Sequence, residues 1–356
     1  MRAVSVASLR AEWQALGAGS LHLQRLLRDW LDAQPLTRAA PRRPVEGFYP
    51  QRLCEALPAI EAALAALLRV DSVHPAEDGA ERLLLRLADG QAIESVLLPK
   101  SGLCVSSQVG CAVGCTFCMT GREGLQRQLG SAEILAQVVA ARRRRPVQKV
   151  VFMGMGEPAH NLDAVLEAIE LLGTLGGIAH KKLVFSTVGD ARVFERLPLG
   201  PVKPALALSL HSTDAALRAE LLPRAPRIEP AELAERAELY ARATGYPIQY
   251  QWTLLEGIND TEEEMAGIVR LLRGRYAMMN LIPFNRVEGT PYRRPRPDRA
   301  AALLKYLRSH GIVATLRRSA GQDVDGGCGQ LRARAEAATV RILSSTRETP
   351  WQGATG

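Results

Sequence analysis

The sequence predicts an α/β fold: a partial or full parallel (β/α) barrel, preceded by a small helical module and a β-hairpin. Three observations predict it. From about Leu103 onward, short apolar or β-branched runs alternate with helical patterns, a rhythm that implies parallel strands joined by right-handed crossovers. Six or seven such repeats are too many for a small open sheet. The polar and glycine-rich stretches fall after the strands, at the end where barrels of this kind place their chemistry.

The elements follow in chain order. Residues from about Val4 to Asp32 read as helices, because Leu9, Trp13, Leu16, Leu21, Leu23, Leu26, Leu27 and Trp30 recur at helical spacing. Pro35 to Pro50 carries four prolines and reads as a linker. A second helix is expected from Pro58 to Leu68. Arg82–Leu87 and Gln91–Leu98 flank Asp89-Gly90, a pair suited to the positive φ angles of a tight hairpin turn. Residues 1–100 are therefore expected to form an accessory module or barrel cap, 101–331 the barrel, and 332–356 a helix (Ala333 to Ile342) and a polar tail.

The barrel strands are expected at Leu103–Ser107, Lys149–Met153, Lys182–Thr187, Ala205–His211, Ile248–Leu255, Met278–Phe284 and Val313–Arg317. The intervening helices are expected at Ser131–Arg144, Leu162–Leu172, Thr213–Leu222, Glu232–Ala243, Thr261–Arg273 and Asp298–His310. Ser131 and Asp260 stand where N-caps belong. Arg142 to Arg145 is either a solvated helix end or a phosphate contact.

Composition narrows the class. The chain has 356 residues, of which 47% are hydrophobic and 23% charged, as in ordinary globular proteins. No apolar run is long enough for a membrane span, and the first residues lack a signal peptide's apolar region, so a cytoplasmic monomer without membrane contact is expected. Six cysteines, three of them crowded together, do not make a disulfide framework. Lys and Arg total 45 against 37 Asp and Glu, a net charge of +8, which favours a polyanionic partner such as RNA.

The sharpest signal is Cys111-Ala112-Val113-Gly114-Cys115-Thr116-Phe117-Cys118. One short loop there offers three thiolates. Zinc usually takes four ligands in two separated pairs. Three thiolates suit a four-iron cluster with one iron left open. Gly154-Met155-Gly156-Glu157-Pro158 after the second barrel strand lets main chain approach a ligand, with a carboxylate that could accept from an ammonium group. Ser186, Ser209, His211 and Asn285 stand at the same rim, where hydroxyl, imidazole and amide groups suit a ribose and a carboxylate; each alone is more often structural.

Cys328, among Gly326, Gly327 and Gly329, reads as a thiol on an exposed, flexible loop, either a nucleophile or an incidental turn residue. Cys104 is open to three readings: a fourth ligand, a second redox thiol or a core residue. Cys54 reads as core. Glu94, among apolar neighbours on the hairpin, is a general base if buried and otherwise faces solvent.

The cysteine spacing resembles that of the radical S-adenosylmethionine (SAM) superfamily, in which SAM chelates the open iron. The wider set resembles one family, the radical-SAM enzymes of the RlmN/Cfr type that methylate an adenine carbon in large-subunit ribosomal RNA. The matching text is Cys104 to Cys118, Phe152 to Pro158, Phe185 to Thr187, Leu208 to His211, Gly257 to Asp260, Asn280 to Asn285 and Asp323 to Leu331. The resemblance implies one [4Fe-4S] cluster on Cys111, Cys115 and Cys118. It implies that Gly156, Glu157, Ser186, Ser209, Leu210, His211 and Asn285 hold SAM, used twice per turnover.

It further implies that Cys328 carries a methyl group, that a 5′-deoxyadenosyl radical takes hydrogen from that group, and that Cys104 releases the product as a disulfide with Cys328, Glu94 accepting a proton. An RNA substrate, ribosomal before transfer RNA and gripped by residues 1–100, and an electron donor such as flavodoxin are implied as partners. Two departures stand out: Gly326 and Gly327 replace the family's two alanines, and Arg317 to Ala320 with the first ninety residues match poorly. Outside the family remain a radical-SAM enzyme with another substrate and a zinc-stabilised, non-catalytic RNA-binding protein.

Overall fold

The protein is described from a computed structural model, which covers residues 3–37 and 45–333, with no account of the side chains of residues 45 and 46. Helices α1 (Val6–Ala15) and α2 (Ser20–Leu31) open the chain, followed by a short turn of helix, α3 (Val45–Phe48), and by α4 (Gln51–Ala66). Strands β1 (Leu68–Pro75), β2 (Glu81–Leu87), β3 (Ala92–Leu98), β4 (Gly102–Cys104), β5 (Gln108–Gly110) and β6 (Leu125–Gln128) follow. The alternating region comprises α5 (Ser131–Arg142), β7 (Lys149–Phe152), α6 (Leu162–Thr174), β8 (Leu183–Thr187), α7 (Ala191–Arg196), β9 (Ala205–Ser209), α8 (Ala215–Leu221), α9 (Pro230–Thr244), β10 (Ile248–Leu254), α10 (Glu262–Leu272), β11 (Ala277–Pro283), α11 (Pro297–Ser309) and β12 (Ala314–Leu316).

One sheet holds ten strands in the order β1-β2-β3-β4-β7-β8-β9-β10-β11-β12. Pairing is parallel from β4 to β12 and antiparallel from β1 to β4. The two edges do not meet, so the barrel is partial. The hairpin pairs through β3 with β4 and therefore extends the barrel sheet. The sequence reading missed β1, and it missed the small antiparallel pair β5–β6. Among the described residues no helix is long and apolar enough to cross a membrane.

Local chemistry explains the shifted boundaries. Helix α4 begins seven residues before Pro58, which sits inside it. The buried stripe of Leu53, Leu57, Ile60 and Leu64 decides the helix, outweighing the proline's missing N–H. Ser131 lies one position inside α5. Its hydroxyl accepts from Val6 N (2.8 Å), while Glu133 accepts from Gly130 N (2.8 Å). Thr261 caps α10, receiving Glu264 N at 3.2 Å, whereas Asp260 receives Gly257 N at 2.7 Å.

Three arginines of the run, Arg142, Arg144 and Arg145, bond within the protein, while Arg143 and Arg144 remain exposed. Arg142 donates to Leu31 O (2.7 Å) and Gly176 O (2.6 Å), Arg144 to Glu81 (2.8 Å), and Arg145 to Gly79 O (2.9 Å). These bonds tie α2, the hairpin and α6 to the end of α5. The expected C-terminal helix beyond Ala333, the tail, and linker residues 38–44 lie outside the described residues.

Gly267, inside α10, faces Thr213, whose hydroxyl is held by Glu264 at 2.6 Å. A Cβ there would stand 2.1 Å from Thr213 Oγ1. Alanine would gain about 0.5–1 kcal/mol of helix propensity, but overpacking against a pinned neighbour costs about 1–3 kcal/mol. Gly267→Ala is therefore expected to lower stability, seen as an earlier urea midpoint with an unchanged slope.

Candidate active site

The cysteine loop is set by backbone bonds. Gly110 adopts φ 75°, and a Cβ there would fall 2.0 Å from Gly124 O. Its neighbour Cys111 then donates its N–H to that same oxygen at 3.1 Å. Cys118 N donates to Cys115 O at 3.0 Å, closing the turn that points the thiols inward. At the carboxyl ends of the strands lies a cavity of about 150 Å³. Cys111, Cys115, Cys118, Gly156, Glu157, Ser186, Ser209, His211 and Cys328 all line it.

Asn285, Leu210, Cys104 and Glu94 do not line that cavity. Asn285 stands behind the wall, donating to Ser319 Oγ (2.9 Å) and Cys328 O (3.0 Å), while its Oδ1 is buried without a partner. Leu210 is fully buried, its N–H given to Gln251 O. Cys104 is buried, and burial with the nearby Cys328 pushes its thiol up to about 12. Glu94 is buried as well, and its carboxylate is taken by Arg82 and by the N–H groups of Arg332 (2.7 Å) and Ala333 (3.0 Å). Cys54 is only half-buried, its thiol donating to Tyr49 O at 3.6 Å.

The Cys328 loop is exposed but not loose, contrary to the flexible turn its glycines suggest. Met119 N donates to Gly329 O (2.8 Å), Thr120 Oγ1 to Leu331 O (2.7 Å), and Gly327 N to Gln330 Oε1 (3.0 Å). A Cβ on residue 327 would sit 2.5 Å from that Gln330 oxygen and 2.8 Å from Asn285 Nδ2. Glycine at 327, where the related family has alanine, thus makes room for the side chain that locks the turn.

Residues the sequence reading missed shape the site: Phe117 lines the cavity, while Gln108 and Arg218 act on the residues that line it. Gln108 Oε1 accepts from Glu157 N at 2.7 Å and fixes the glycine-rich loop. Arg218 is buried, donates to Val188 O and Ser209 O, and leaves its Nε without a partner. Phe117 packs edge-on against the His211 ring at 4.9 Å. Gln108 and Phe117, both within the matched cysteine segment, carried a local signal; Arg218 carried none.

Burial governs the electrostatics. It pushes the Cys111 thiol up to about 12 and raises Cys115 and Cys118 as well. It lifts Glu157 to about 7, against hydrogen bonds from Thr187, Ala159 N and Val188 N. It lowers His211 to about 3, and His211 Nδ1 accepts from Thr253 N at 3.0 Å, so the ring proton is on Nε2.

The donor set fits an iron–sulfur cluster. Cys111, Cys115 and Cys118 come from one loop and line one cavity, a set of three that suits a four-iron cluster, whose cationic core would also favour the thiolates that burial disfavours.

A parallel sheet that gathers three cysteines from one loop at its carboxyl edge defines a radical SAM fold. The sequence model of the radical SAM superfamily matches residues 105–270. A relative in Leptothrix cholodnii, 66% identical over 94% of this chain and 96% of its own length, bears the name "Probable RNA methyltransferase". A relative with that description in Pseudomonas aeruginosa is 64% identical over 94% and 96%. A radical SAM methyltransferase from Sphaerobacter thermophilus superposes with a TM-score of 0.80 at 34% identity, over 93% of this chain and 98% of the other. The chain belongs to the radical SAM methyltransferases.

His211 and Glu157 titrate in opposite senses. The contribution of neutral His211 is complete above about 6.5 and is lost as pH falls toward 3; that of protonated Glu157 is complete below about 4.5 and is lost as pH rises through 7. Between 4.5 and 6.5 the two slopes, each about 1.4 kcal/mol per pH unit at most, oppose each other. His211→Asn, which keeps a residue tolerant of the φ of 61° found there, is expected to lose more stability than the wild type as pH rises from 4.5 to 6.5. Urea titrations of the metal-free protein in that range measure it; parallel curves would refute the assignment.

Proposed function

We propose that this enzyme methylates an adenine ring carbon, C2 or C8, in RNA, with Cys328 as methyl carrier and two SAM molecules consumed per turnover. One observation carries the reading: the Cys328 thiol lines the same cavity as Cys111, Cys115 and Cys118. An aromatic C–H carbon is a poor nucleophile toward SAM, so a plain methyl transfer fails. Once a tethered thiol has taken the methyl group, removal of one hydrogen atom from it leaves a methylene radical, which adds to the ring carbon without needing that carbon to be a nucleophile.

Cys111, Cys115 and Cys118 would hold the cluster. When bound, it supplies the electron that splits SAM to a carbon-centred radical. Glu157 would accept from the SAM ammonium, whose charge would draw the carboxyl to its ionised form. Gly156 would admit the ligand to main chain. Ser186, Ser209 and neutral His211 would hydrogen-bond it, beside Leu210 in the same turn. The unpartnered Asn285 Oδ1 is a free acceptor behind the Cys328 turn.

Cys104 Sγ, near enough to Cys328 to feel its charge, would attack the Cys328 sulfur as a thiolate; the S–S bond forms as the bond from sulfur to the transferred carbon breaks, and that carbon keeps the electron pair and takes a proton to become the product's methyl group. Glu94 would take the ring proton once Arg332 and Ala333 have let go of its carboxylate. Relatives at 64–67% identity that are named for RNA methylation, and the net charge of +8, support RNA as substrate. A low-potential donor such as flavodoxin would reduce the cluster.

Anaerobic reconstitution should give a brown protein with iron and sulfide, whereas colourless protein with zinc would favour a non-catalytic binding protein. Cys328→Ala should keep the cluster and lose methyl transfer to RNA; turnover by that variant would refute the covalent route. Mass spectrometry of nucleosides from cells with and without the protein identifies the ring carbon.

A further inference from the structure

The turn that carries Cys328 is held at both ends by one buried ion pair. Arg82 on β2 and Glu94 on β3 stand diagonally across the hairpin register, and their side chains are 4% and 1% exposed. Arg82 Nη1 donates to Glu94 Oε1, and Arg82 Nε donates to Val324 O, just before the first glycine of the turn. Glu94 Oε2 accepts from Arg332 N (2.7 Å) and Ala333 N (3.0 Å), just after the turn ends. The adjoining β1–β2 turn grips the same loop: Gly321 N donates to Asp78 (3.0 Å), and Glu77 N donates to Asp323 (3.0 Å).

A buried ion pair adds little net stability, because desolvation offsets the attraction; apolar residues of similar volume often serve as well. Here the pair supplies directed bonds to the main chain of a glycine-rich turn that exposes its thiol. An apolar pair could fill the volume but could not hold those backbone groups.

We propose that Arg82 and Glu94 are positioning residues for the methyl carrier, fixing residues 324–333 so that the Cys328 thiol faces the cavity. The inference rests on the reading of Cys328 as carrier. It gives Glu94 a duty in the first half-reaction, in which the Cys328 S–CH3 bond forms as the sulfonium–methyl bond of SAM breaks, S-adenosylhomocysteine leaves, the thiol proton goes to solvent, and no ring proton is involved.

The test uses the full-length reconstituted protein with SAM and no RNA, following Cys328 methylation by mass spectrometry. Iodoacetamide labelling of Cys328 is followed in parallel. The double variant R82M/E94M keeps the volume and leaves no lone buried charge, so it should fold and bind iron as the wild type does. It and E94Q are expected to methylate Cys328 at least about tenfold more slowly and to label faster, with E94D partly restoring both. If E94Q and R82M/E94M methylate Cys328 at the wild-type rate and lose only the transfer to RNA, Glu94 acts on the ring alone and the positioning role is overturned. If the wild type gains no methyl group on Cys328, the carrier reading fails; labelling then decides alone, faster in the double variant supporting the clasp and equal rates overturning it.

Discussion

The curl of the parallel sheet is the constraint on which the cavity depends. It brings the last strand back over the first, so that Arg317, just past β12, reaches Gln251 on β10 (3.4 Å) and Met153 beyond β7 (4.0 Å). A flat sheet of the same strands would leave the Cys328 turn far from the cysteine loop. Because the edges stay unpaired, the curl needs support from outside the barrel. The hairpin provides it, extending the sheet at one edge while holding the loop that leaves the other.

The cavity's second property is dryness. Burial pushes its thiols and Glu157 up and His211 down, and in each case the neutral form is favoured. Arg218 is the exception. Its guanidinium is buried on carbonyls alone, with burial drawing it down to about 10. A cation without a carboxylate partner is expensive to bury. Here it faces the field of Cys115 and Glu157, the groups that become anionic once a cluster and an ammonium arrive. The protein side of the site is thus built for charges that come with the ligands.

The sequence made the barrel legible because strand period and helix period are local properties, and each parallel strand falls within a few residues of its expected place. Caps slipped by a residue where two candidates adjoin, as at Gly130-Ser131 and Asp260-Thr261. What stayed hidden depends on distant partners. Strand β1 is exposed along much of its length and carries no clean alternation; its pairing with β2 creates it. Arg142 and Arg145 read as either a solvated helix end or a phosphate contact because the carbonyls they bind come from four other segments. Glu94 read as either a base or a surface residue because nothing local shows that Arg82 and the backbone beyond Cys328 converge on it. The cysteine loop was legible because its ligands are neighbours in the chain.

The two glycines before Cys328 show how a departure in sequence is absorbed. The turn keeps its shape through groups borrowed from elsewhere: Asn285 on Cys328 O, Gln330 folded back on Gly327 N, Met119 on Gly329 O, and the Arg82–Glu94 pair at the ends. Gln330 can fold back only because residue 327 has no Cβ. A side chain there would push on Gln330 and Asn285 together, moving the one unpartnered amide oxygen at the wall as well as the turn. The glycine therefore couples the geometry of the thiol to that of Asn285. Whatever loosens one loosens the other, which makes the barrel and the hairpin together, rather than the turn's own packing, the source of its order.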